Sequence, residues 1–448
     1  MRMRGVATSR RTAGQSGVST TEYVVAVALI AVVVMAALSW LGKLDKSAFC
    51  QVSGGLQQGV GCSVTGWGSD KYGQLGNGSY TWPADTPYYG PTTANGLSVV
   101  MSSMSVGYYH VMALSTEGSI WGWGEDTSGE LGNGTTGTFT QPVQATAFAS
   151  SLSGAGEKAK AVYAGNQYSL VLANDGTVWA AGIDTECDIG NGATCGSGTV
   201  TTPYHLTTAS FGNNPVTSLD AGYSTVLAVT SSGAVYGWGN NQQCEVDSTC
   251  AGSSCFPGAY CVQSPELIAG LPSNMVGVGG NVYDSMAITS DGHVYGWGAN
   301  GQGELCLGAT GSRAHATLTN LSNVTSLATH GDIFTIALKR DGTVVSCGDN
   351  STYELGNGST QNLLDGSIQN VSGLSGITAV EANIYGGVAL KTDGTVWAWG
   401  QDTQGQLGDA GGANSDVPVK IPGVTHAVAV GSGYYFNGDL NAGVSASA

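Results

Sequence analysis

IWGWGEDTSGELGNG, residues 120–134, is the stretch from which the fold can be read. It is a strand ending in Trp123-Gly124, followed by a loop that closes on Gly132-Asn133-Gly134. Asn-Gly supplies turn geometry, and glycine lets backbones approach closely. Just upstream, YYHVMALSTEG at 108–118 alternates apolar residues and ends in Glu117-Gly118, the mark of a hairpin.

The same pattern starts again at Val64, Val178, Val235, Val294, Val344 and Val396, and its closing glycine falls at 68, 124, 182, 239, 298, 348 and 400. Steps of 50 to 59 residues between those glycines, with strands in each copy, belong to a propeller or a solenoid. A second strand and a turn precede each copy except the first, as in QYSLVLANDG at 167–176 and FTIALKRDG at 334–342. The C-terminus supplies an unpartnered strand, GYYFNGDLNAG at 433–443. The expected arrangement is a ring in which the strand around Val64 completes the last blade and hides the edges.

These copies resemble the regulator of chromosome condensation repeat family, whose members fold as seven-bladed β-propellers. The resemblance implies an all-β seven-bladed propeller over 62–443, with tryptophans wedged between blades. Three copies depart from the pattern. The fourth has Cys244-Glu245-Val246-Asp247 in place of L-G-N-G, the third has Ala181 where Trp is usual, and the sixth has Ser346 or Cys347 there. Disulfides or altered loops are expected to hold those blades.

A different chemistry stands before the propeller. GVSTTEYVVAVALIAVVVMAALSWL, from Gly17 to Leu41, holds an apolar run about as long as the roughly 20 residues a bilayer-spanning helix needs. Arg2, Arg4, Arg10 and Arg11 and no acid precede Gly17. The apolar run is longer than the core of a secretory signal, and Arg10-Arg11 stands too far from it for a twin-arginine signal. Gly17, four residues, then Glu22-Tyr23 and the apolar run resemble the Flp/Tad family of type IVb prepilins. That resemblance implies cleavage by a prepilin peptidase between Gly17 and Val18. Glu22 and Tyr23 then fall at the fifth and sixth mature positions, and Glu22 pairs with the α-amino group of a neighbouring subunit. An ionisable residue at a membrane helix is a functional hypothesis by default, against the plainer reading of a carboxylate solvated at headgroup level. The expected organisation is a leader over 1–17, a single long N-terminal hydrophobic α-helix over 18–52, a flexible linker over 53–61 and the propeller.

Composition restricts the rest. The chain has 448 residues, 71 of them glycine, and a formal charge of −17. Cleavage after Gly17 would remove four arginines and no acid, which takes that charge to −21. An acidic body repels phosphate backbones, so no nucleic-acid partner is expected. Ten cysteines without a C-x-x-C pair read as disulfides in an oxidising compartment rather than as metal ligands. The short spacings are Cys187 to Cys195, Cys244 to Cys250, Cys255 to Cys261 and Cys50 to Cys62. Connectivity stays open, and Cys306 with Cys347 is what remains once those local pairs are drawn.

No catalytic constellation, metal site or cofactor motif stands out, and no enzymatic activity is expected. His110 reads as a packing residue. Loop acids such as Asp126 and Asp402 do not match EF-hand spacing and read as solvated turn carboxylates. Aromatics recur where each repeat enters its hairpin, and Tyr109, Tyr168, Tyr223, Tyr283, Phe334, Tyr385 and Tyr435 form a candidate binding ring on one face, with Tyr108, Tyr434 and Phe436 beside them. The competing reading packs most of them between blades. A loop at 79–91 with Trp82, Tyr88 and Tyr89 is a second candidate. The expected function is a pilin-like subunit: a membrane precursor that packs with its own copies into a surface filament and displays the propeller to a protein or glycan ligand. The alternative is a tethered or secreted binding module, an inhibitor or receptor whose helix serves as anchor or export signal.

Overall fold

A computed structural model of the chain describes residues 62–442 apart from 82–85, 194, 197, 247–260, 329 and 364. The leader, the apolar run with Gly17, Val18, Glu22 and Tyr23, and the linker lie outside the described residues, as do Cys50, Cys250, Cys255 and Trp82. Among the described residues, no helix is long and apolar enough to cross a membrane.

The described strands form seven antiparallel sheets of four strands each, the blades of a propeller. Blade 1 runs outward through Met101–Val106, His110–Ser115, Ile120–Asp126 and Gly137–Gln144. The first strand of every blade lines the central channel, with Val106, Val162, Ala221, Val278, Leu327 and Val430 among the lining residues. The repeat pattern located the middle two strands of each blade. It did not reveal the inner strands, such as Ala159–Ala164, whose sequence AKAVYA lacks a clean apolar–polar alternation.

Blade 7 closes the ring as the sequence leads one to expect. Cys62–Gly68 pairs with Phe436–Ala442 along its whole length, with Val64 opposite Leu440 and Thr65 opposite Asp439. Ala427–Ser432 lies inside that pair and Tyr88–Thr93 outside it. Strands from the two ends of the domain thus share one sheet, and no middle strand is left with an open edge.

Tryptophan joins neighbouring blades. The indole Nε1 of Trp67 donates to Gln406 O at 2.9 Å, Trp123 to Gln74 O at 2.9 Å, Trp238 to Asp188 O at 3.0 Å and Trp399 to Glu354 O at 2.8 Å. Each ring also lies on a glycine of the preceding blade's loop. A Cβ added to Gly76 would come within 2.9 Å of Trp123, and one added to Gly356 within 2.6 Å of Trp399. Those glycines have φ of +68° and +59°, so their backbone and the space above them both exclude a side chain.

The departing copies solve the same packing problem differently. Blade 2 has Ala181 at the tryptophan position, and Phe148 fills the gap over Gly132. Phe148 comes from helix α1, Thr146–Ala155, which ends at left-handed Gly156 and buries Phe148 and Leu152. In blade 5, Cys347 stands at the tryptophan position and Cys306 at the glycine position, φ +53°. The two form a disulfide with Cα atoms 5.7 Å apart. A covalent bond thus spans the blade 4–blade 5 seam where other seams use an indole. Cys187 pairs with Cys195, and Cys244 is also disulfide-bonded.

Candidate functional site

The ladder register sorts the ten aromatics that the sequence grouped together. The residues opposite the closing glycines 124, 182, 239, 298, 348, 400 and 68 are His110, Tyr168, Thr225, Asp284, Phe334, Gly386 and Phe436. All of these are buried. Tyr168 and Phe334, at 0 % exposure, therefore do not belong to an exposed ring. They pack in the core, and the Tyr168 hydroxyl reaches the next blade, donating to Gly222 O at 2.9 Å. His110 packs at the same level, its Nε2 2.8 Å from Ser169 Oγ, and burial pulls its pKa down to about 3.

One residue earlier stand Tyr109, Tyr283, Tyr385 and Tyr435, half-buried or, for Tyr283, 41 % exposed. One residue earlier again stand Tyr108, Tyr223 and Tyr434, with Asp332 at that level in blade 5. These two tiers meet in a cluster on one face. Tyr223 meets Tyr108 edge-on at 5.0 Å, Tyr434 lies 5.8 Å from Tyr108 and 5.7 Å from Tyr109, and Tyr385 stacks on Tyr435 at 5.4 Å. Tyr72, from the loop after the Cys62–Gly68 strand, adds an edge contact to Tyr109 at 5.3 Å. Backbone bonds tie the same turns together: Tyr434 N donates to Tyr108 O and Tyr108 N to Gly165 O.

Below the cluster lies the channel, a cavity of about 240 Å³. His330 lines it and packs edge-on against Tyr108 at 5.6 Å, so the tyrosines sit over its end. His330 Nε2 donates to Ala221 O, 2.9 Å away, and burial lowers its pKa. Carboxylates near these tyrosines include Glu125, Glu186, Glu245 and Asp332. Burial, followed by the Asp332 carboxylate, pushes Tyr108 well above the ordinary phenol range, and burial with Asp332 raises Tyr283. Burial with Glu186 raises Tyr223.

The loop acids are not solvated, contrary to the expectation from sequence. Asp126 and Asp402 have no exposed surface. Asp126 Oδ1 accepts from Leu131 N at 2.9 Å and Oδ2 from Asn133 Nδ2 at 3.0 Å. Asp402 Oδ1 accepts from Leu407 N at 2.8 Å, and Asn241, Asn300 and Asn350 hold their loops in the same way. An amide serves this purpose as well as a carboxylate, which marks the position as a loop clamp. Among the described residues, no group of His, Cys, Asp and Glu is arranged to hold a metal ion. Tyr89, from the second candidate loop, bonds the loop of the neighbouring blade: Ala410 N donates to Tyr89 O at 2.8 Å.

The comparisons agree with this architecture. A family model described as an RCC1-like domain matches residues 63–437. The ultraviolet-B receptor UVR8 of Arabidopsis thaliana is 26% identical over 274 residues, 60% of this chain and 57% of that protein. The E3 ubiquitin-protein ligase HERC2 of Homo sapiens is 24% identical over 364 residues, 79% of this chain but 7% of its own length. The chain thus spans little more than half of the first relative and a small part of the second. Among solved structures, Prp20p of Saccharomyces cerevisiae, studied for binding to Gsp1p and histones, superimposes with a TM-score of 0.73 at 19% identity, over 86% of this chain and 92% of that one. Human WBSCR16 superimposes with a TM-score of 0.68 at 19% identity, over 85% and 99%.

Proposed function

We propose, from the premise that this chain belongs to the RCC1-like domain family, that its propeller is the binding head of a bacterial surface filament subunit. One observation carries the filament part: Gly17-x4-Glu22-Tyr23 stands between four arginines and an uninterrupted apolar run. The precursor sits in the cytoplasmic membrane, a prepilin peptidase cuts after Gly17, and the helix from Val18 packs with its copies. Glu22 meets the new α-amino group of a neighbour, which removes the cost of a lone carboxylate in an apolar filament core. The propeller remains outside and works by binding, without turnover. The binding part is supported by the fold relatives, since Prp20p is a propeller studied for its binding to Gsp1p and histones. Cystine-linked loops suit an oxidising exterior.

Mass spectrometry of the mature N-terminus tests the reading. A chain beginning at Val18, recovered from sheared filaments, is the expected result. A chain beginning beyond residue 35 would support the second reading, a secreted binding module, and an intact Met1 a tethered one. The reading that this propeller is a binding module survives either outcome; the pilin assignment does not.

A further inference from the structure

The tyrosine face has unmet hydrogen-bonding capacity. Asp332 Oδ1 and the Tyr108 hydroxyl are shielded from solvent and have no partner. Tyr108 is fully buried, and its ring is boxed in by Tyr223, Tyr434 and His330. A carboxylate oxygen accepts and cannot donate, and leaving it buried and unpaired is unfavourable. An occupant that brings several N–H donors would remove that cost. Beside these atoms stand Tyr109, 6.5 Å from Tyr108, and Tyr283, and Tyr385 and Tyr435 extend the cluster through Tyr434; all four are partly open to solvent. Beyond burial, Asp332 and Glu186, whose Oε2 accepts from Asn240 Nδ2 at 2.7 Å, both raise the pKa of Tyr283. The surface already places one cation on a ring: Lys71 Nζ lies 5.2 Å from the centre of Tyr72.

We propose that this face receives an arginine side chain presented by a basic segment of a partner protein. The inference rests on the reading of this face as the binding face. A guanidinium carries five donors in a plane, pairs with a carboxylate through a fork and stacks on tyrosine rings. Lysine offers the charge without the plane. A neutral glycan offers hydroxyls and stacking but gains nothing from the field of a chain whose formal charge is −17. Nucleic acid is repelled by that field.

The test is a titration of the purified full-length protein with three probes: octa-arginine, octa-lysine and maltoheptaose, read by calorimetry at two salt concentrations. Octa-arginine should bind, more weakly at higher salt. Asp332→Asn and Tyr283→Ala should each weaken it at least tenfold while thermal melting is retained. Tyr204→Ala, an exposed tyrosine on the outer strand Thr199–Leu206, should leave it unchanged. Octa-lysine binding as tight as octa-arginine, with both indifferent to the variants, would reduce the effect to diffuse attraction and overturn the proposal. Maltoheptaose binding that both variants abolish would overturn the arginine assignment and keep the binding face. If no probe responds to either variant, the proposal and the binding-face reading both fall.

Discussion

The disulfide between Cys306 and Cys347 occupies the position that an indole on a glycine fills at other seams, and that equivalence can be tested by exchange. Replacing both cysteines with alanine removes a cross-link across a sequence separation of 41 residues. In the chain-entropy account, a loop of that length is worth about 4 kcal/mol. For a domain near this size, a loss of that order lowers the melting temperature by about 5 °C. The informative variants come next. Cys347→Trp alone should be worse than the alanine pair, because Cys306 would project into the new ring as a Cβ on Gly356 would project into Trp399. Combining Cys347→Trp with Cys306→Gly should recover most of the loss. The rebuilt indole buries against blade 4, where truncating a tryptophan to alanine costs about 3–5 kcal/mol, and Glu304 O, now 3.5 Å from Cys347 Sγ, can accept from it. Differential scanning calorimetry under non-reducing conditions, which keep Cys187–Cys195 intact, gives the ranking. Equal stability of Cys347→Trp with and without Cys306→Gly would refute the idea that the two positions form one packing unit.

Further expectations follow from the same seams and from the buried acids. Phe148→Ala should destabilise the head by about 3–5 kcal/mol, as a buried aromatic truncation does, and chemical denaturation at constant m-value checks it. An unchanged midpoint would mean α1 is dispensable to the blade 1–blade 2 seam. Burial raises Asp439 to about 7, Asp126 to about 7 and Glu130 to about 8, above their unfolded values. Each group therefore adds stability that is complete below about pH 4 and is lost as pH rises through 7–8. Melting temperature should fall between pH 5 and pH 8.5, and Asp439→Asn should flatten part of that slope; a melting temperature that rises over the interval contradicts the assignment. Glu22→Gln should leave precursor cleavage intact but reduce incorporation into filaments, scored by shearing and immunoblotting. Wild-type levels in the sheared fraction would remove the proposed pairing with the Val18 amine.

Much of the ring was legible in the linear chain because its determinants are local. Strand pairs, Asp-Gly turns and the Trp-Gly closures recur within each copy, and the missing partner at Val64 announces the closure with Leu440. The side chains that join one blade to the next were only partly legible. That Phe148 replaces a tryptophan missing at Ala181, and that Cys306 and Cys347 replace a glycine and a tryptophan, depends on which residues face each other across a seam. Sequence spacing suggested local cysteine pairs first and left those two as a remainder. The tyrosine face shows the same limit. Spacing from the hairpin put Tyr168, Tyr223 and Tyr283 into one ring, but a shift of a single residue along a strand turns a side chain from the rim into the blade. Ladder pairing with the closing glycines separates Tyr168 and Phe334, which are sealed in the core, from Tyr283 and Tyr435, which meet solvent. Repeats and turns are written in short-range pattern; seam partners and exposure arise when distant copies are packed against each other.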